Sequence, residues 1–129
     1  MKVTRMYTGE DKQSHFEDPE IPMIPDKFGA KSDHLPGAGV FFQQNPEGAS
    51  IGFHNASQRQ FVITLSGVGE LELGDGSRRQ FGPGDILLAD DTTGQGHITR
   101  IIQGPRRCVF VPLPAQFDLE AWRVQKSPK

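Results

Sequence analysis

Four histidines are the side chains best suited to chemistry near neutral pH, because an unperturbed imidazole (pKa about 6.5) both takes and gives protons there. They are His15, His34, His54 and His97, separated by 19, 20 and 43 residues, so only a folded chain can assemble a pair. Cys108 is the single cysteine. Set beside Val109, Phe110 and Val111 it reads as a small buried hydrophobe in a strand rather than a nucleophile. Arg59 and Arg100 are candidates for clamping a carboxylate by bidentate bonds. Strand parity, however, sets Arg59 opposite to Gln60 and Arg100 opposite to His97, which favours solvated side chains. Local signatures of other chemistries are missing. Gly67-Val68-Gly69 is followed by Glu72 where a dinucleotide fingerprint needs its third glycine. No P-loop, Gly-x-Ser-x-Gly elbow, His-Glu-x-x-His pair or zinc-type cysteine pair occurs.

The elements that must position these residues are short and extended. Fifteen glycines and ten prolines among 129 residues, with 35% hydrophobic side chains, disfavour a helix bundle and suit strands joined by turns. Strand-like runs occupy residues 39–43, 49–54, 60–65, 70–73, 78–81, 86–89, 97–102 and 107–111. Asp75-Gly76 marks a hairpin between the fourth and fifth. Residues 1–36 are polar and irregular, with Pro19, Pro22, Pro25 and Pro36 blocking long helices. Asp118 is placed to cap a short terminal helix, Leu119 to Val124, carrying Trp122. The expected architecture is all-β, with residues 1–38 an arm packing on or exchanged with a barrel and residues 39–129 the barrel and its helix.

A chain of this length buries about two thirds of its unfolded surface, so its core needs no disulfide or structural metal. The formal net charge of −2 carries no basic excess, which argues against a nucleic-acid surface. No apolar run approaches the ~18 residues that span a bilayer. The N-terminus lacks the apolar middle of a signal peptide, and a cytoplasmic location is the expectation.

From Gly52 to His97 the chain resembles the cupin superfamily of small jelly-roll β-barrels. His54, Gln60 and Gly67 fall at the spacing of the family's first motif, with Ala56 in place of its second histidine and Gln60 in place of its glutamate. Pro83-Gly84-Asp85 and His97 match the second motif, stretched by about two residues in the run Asp91 to Gly96. The resemblance implies a cupin-type barrel around a small-molecule cavity lined by His54, Gln60 and His97. It implies one divalent metal (iron, manganese, nickel or zinc) on those three residues, with Asp91 as a replacement ligand. It equally allows a metal-free pair, in which His54, His97 and Asp91 perform acid–base catalysis.

A third reading has both histidines as hydrogen-bonded interior residues. The functions implied are an enzyme on a small polar or carboxylated metabolite (an oxygenase, isomerase or lyase), or a non-catalytic binding or sensing module. Tyr7 and His15 are placed to close over the barrel mouth. Small cupins resemble dimers, and an arm carrying Met23, Ile24 and Phe28 suits an edge lent to a partner in a homodimer.

Overall fold

The structure, a computed structural model, describes residues 1–118. The expected helix from Leu119 to Val124, with Trp122, lies outside the described residues. Within them the chain forms ten strands: β1 (Thr4–Thr8), β2 (Ser14–Glu17), β3 (Ile24–Asp26), β4 (Gly29–Lys31), β5 (Phe41–Asn45), β6 (Ser50–His54), β7 (Gln60–Glu72), β8 (Arg78–Phe81), β9 (Ile86–Asp90) and β10 (His97–Pro112). No helix of the described residues is long and apolar enough to cross a membrane.

The two long strands organise the rest. β7 and β10 pair antiparallel from Gln60 and Pro112 at one end to Glu72 and Ile98 at the other. Their Gln60 and Pro112 ends carry one half of the sheet, ordered β2-β1-β9-β7-β10-β5. The opposite ends carry β8 beside β7 and β6 beside β10. Pairing is antiparallel except between β1 and β9. Met6, Val62 and Leu87 of the first half pack in one buried cluster with Leu71, Leu73 and Phe81 of the second. The sheet therefore closes on itself as a β-barrel. A second cluster of Val3, Ile21, Phe61, Leu88 and Leu113 covers the outside of the first half. Each such burial contributes about 1.5–3 kcal/mol relative to exposure.

Two pairs of expected strands are in fact single ones. Residues 60–65 and 70–73 are continuous in β7, and 97–102 and 107–111 are continuous in β10. The pairing register shifts between Ile101 and Cys108, and such bulges let a strand bend without ending. Side-chain alternation changes phase across the bend. Gln60 and Val62 face the cavity before it and Leu71 after it; His97, Thr99 and Ile101 face the cavity before it and Arg106 and Phe110 after it. The first 36 residues are also more ordered than their polarity suggests. β1 and β2 join the main sheet, and Met6 is fully buried. Pro19, Pro22 and Pro36 lie between strands, where they cost the pairing nothing.

Candidate functional site

Between the two halves of the sheet lies a cavity of about 300 Å³, at the small end of ligand sites. Met6, Val62, Leu87 and Phe110 supply apolar wall, and His54, Gln60, His97 and Arg106 supply polar groups. His54 ends β6 and His97 begins β10, and the two residues face each other across the strand pair. Gly96 makes that approach possible. Its φ is +83°, and an added Cβ would lie 2.0 Å from the His54 carbonyl oxygen. Asn55 Nδ2 fastens the preceding loop by donating to the carbonyls of Thr93 and Gly94.

The two imidazole rings stand with centroids 4.4 Å apart, tilted by 55°. His97 is 5% exposed, and its Nδ1–H donates to Asp91 Oδ2 at 2.6 Å. Asp91 is wholly buried, and the same oxygen accepts from the Ser14 hydroxyl at 2.7 Å. His54 Nδ1–H donates to the Gly52 carbonyl at 2.8 Å. With each Nδ1 engaged as a donor, each Nε2 keeps its lone pair for the cavity. Gln60 is also buried, and its Oε1 has no hydrogen-bond partner among the described residues.

Thus the structure brings His54, Gln60 and His97 to one cavity and sets Asp91 behind His97, hydrogen-bonded to its Nδ1. It keeps the other candidates out. Arg59 pairs with Asp90 on the outside, Arg100 with Glu72, and His15 with Asp11. Arg106 was missed in the sequence reading. It is 7% exposed, and among the described residues its side chain makes one hydrogen bond, from Nη2 to Thr64 Oγ1 at 3.0 Å. Burial pushes its pKa below the ordinary guanidinium value. Its parity with the buried Cys108 was the available signal. Ser14 was missed too, being 77 residues from its partner.

The metal that the cupin resemblance implies does not fit these residues. Among the described residues no group of three or more His, Cys, Asp or Glu side chains is placed to hold an ion. Ala56 contributes no donor, Gln60 is neutral, and Asp91 lies outside the cavity lining with its Oδ2 held by Ser14 and His97. No Asp or Glu lines the cavity, whereas Arg106 already brings a positive charge to it. A divalent cation there would be buried beside a guanidinium with no lining anion, at a large desolvation cost.

No family model matches the sequence, and no curated protein matches it. Solved structures do match. The QdtA 3,4-ketoisomerase from Thermoanaerobacterium thermosaccharolyticum, a double mutant in complex with TDP, is 13% identical with a TM-score of 0.50, covering 79% of this chain and 81% of that one. KdgF from Halomonas sp. is 20% identical with a TM-score of 0.45, covering 84% and 95%. A conserved protein of unknown function from Streptococcus pyogenes is 18% identical with a TM-score of 0.47, covering 63% and 68%. The described chain has the cupin-type jelly-roll fold.

Proposed function

We propose that this protein is an enzyme that moves a proton on a small molecule held in the barrel cavity, using its own side chains. The observation that carries the reading is the 2.6 Å bond from His97 to the wholly buried Asp91. A carboxylate on Nδ1 fixes the tautomer and steadies the imidazolium that forms. His97 Nε2 takes the proton from a carbon beside a carbonyl, and the electron pair moves onto the carbonyl oxygen. His54 is the second proton carrier. Its free Nε2 takes the proton of a neighbouring hydroxyl and passes it to the carbonyl oxygen, while His97 returns its own proton to carbon. Isomerisation is the outcome when the proton returns to a neighbouring atom. An isomerase is in keeping with the ketoisomerase of similar fold.

The test is deuterium wash-in from D2O at carbons beside the carbonyl, followed by NMR over short hydroxyketones and 2-oxo acids. Wild-type protein is expected to catalyse exchange, and His97→Ala to lose it by about 100-fold or more. Absence of exchange across the panel would leave a binding or sensing module. Stoichiometric iron, manganese, nickel or zinc in protein purified without added metal would also overturn the reading.

We also infer a homodimer. Among the described residues β5 and β6 pair on one side only, with β10. Along those edges Phe41, Phe42, Ile51 and Phe53 are exposed, and the hairpin of β3 and β4 exposes Ile24 and Phe28. Free edges with apolar side chains invite a second copy. Light scattering that showed a stable monomer at tens of micromolar would refute it.

A further inference from the structure

Two buried arginines separate what is structural in this protein from what is not. Arg5, 8% exposed, is held by Glu17 at 2.6 Å and Asp90 at 2.7 Å. Arg106 is as deeply buried, yet no carboxylate among the described residues lies within ion-pair distance of it. Thr64 accepts from Nη2, while Nε has no partner. A guanidinium offers five N–H donors and stays charged, so an unpaired one in the interior is costly. The chain nevertheless makes room for it. A Cβ on Gly69 would lie 2.6 Å from Arg106 Cζ, so the guanidinium packs against bare backbone.

We propose that the missing partner is the ligand, and that the cavity takes a small molecule bearing one carboxylate, which pairs with Arg106 while His97 meets its reacting centre. The inference rests on the reading of this cavity as the substrate site. A single cation is neutralised by a single negative charge, and a dianion would leave a second one buried. The planar, two-oxygen carboxylate matches the fork of guanidinium donors. A cavity of about 300 Å³ admits a short acid rather than a nucleotide-sized ligand. The orphan Gln60 Oε1 in the same wall asks for a donor, which a ligand hydroxyl supplies.

Calorimetric titration with lactate, glycerate and gluconate, each against its neutral amide, tests the assignment. At least one acid is expected to bind roughly tenfold or more tighter than its amide. Arg106→Gln should erase that preference. Without ligand, it should melt no earlier than wild type, because it removes an unpaired buried charge. Gly69→Ala keeps the charge but displaces the guanidinium, so it should weaken acid binding and decides the matter should Arg106→Gln fail to fold. Equal binding of acids and amides, no binding of any acid, or an intact preference in these variants would overturn the assignment. His97→Ala separates the two readings. Acid binding without proton exchange in wild type refutes the catalytic reading and leaves Arg106 standing; exchange without acid preference does the reverse.

Discussion

His15 meets Asp11 on the barrel surface, with Nε2 at 2.9 and 3.0 Å from its two carboxylate oxygens. His97 meets Asp91 inside, through Nδ1 at 2.6 Å. The side chains are the same and the surroundings are opposite. In the surface pair both partners are exposed, so water screens the attraction, and the ring leans on Tyr7 rather than facing a cavity. In the inner pair Asp91 is clamped by Ser14, the ring faces a cavity, and a second imidazole stands beside it. Chemistry therefore depends less on owning a histidine and a carboxylate than on burying one face of the pair and leaving the other open. Asp90, the neighbour of Asp91, extends the contrast, for it turns outward and ties Arg5 and Arg59 together.

The largest effect that would sharpen this comparison is expected at Asp90. Asp90→Ala leaves Arg59 without its carboxylate and Arg5 with Glu17 alone, at a cost of about 3 kcal/mol. Calorimetry should show Tm lower by roughly 10 °C while acid binding persists below it. An unchanged Tm would show the outer cluster to be dispensable. Asp91→Asn should do the reverse. Its neutral amide turns to Ser14 and His97 either an oxygen, which has no charge to steady the imidazolium, or an NH2, which donates to His97 Nδ1 and imposes the other tautomer. Proton exchange should fall about 100-fold with a smaller loss of Tm. Long-range 15N correlations should show His97 no longer committed to one tautomer, a change that lost packing alone would not produce.

The smallest effect belongs to the surface pair. The hydrogen bond from His15, then that from the Gln13 amide, holds the Asp11 carboxyl below its ordinary pKa. A carboxyl lowered on folding stabilises the fold above its unfolded pKa, and that contribution fades as pH falls through the depressed folded value. Asp11→Asn should therefore lower Tm only slightly near neutral pH and match wild type in strong acid. A deficit that persists in acid would assign Asp11 a packing role instead.

Much of the barrel was legible because apolar alternation and turn residues agree locally. Gln60-Phe61-Val62-Ile63 and Ile86-Leu87-Leu88-Ala89 lie side by side, as buried strands should. His54, Ala56 and Gln60 do share one lining, but through a loop between β6 and β7 that also brings Asn55 and Ser57 to it, not through strand parity. What escaped notice depends on relations that no local window contains. Ser14 reaches Asp91 only because β1 pairs with β2 on one side and β9 on the other, bringing β2 within one strand of β9. The one charged residue of β1 concealed its strand, since Arg5 is buried through ion pairs rather than apolarity. Arg106 escaped for a different reason. Counting by twos from His97 sends it to solvent, and only the phase change inside β10 returns it to the cavity.

That phase change has a consequence for how such a protein could be remade. His97 and Arg106 belong to one continuous strand, with an odd offset of nine positions, and face one cavity only because the register slips between them. The slip works as a hinge in sequence space. One residue added to the segment between Ile101 and Arg106 would present Pro105 to the cavity in place of Arg106, and one removed would present Arg107, without touching the histidines. Length variation at a surface bend is far easier to tolerate than substitution in a core. The barrel can thus exchange the charge it offers a ligand by a change of length, while the proton-transfer end stays in place.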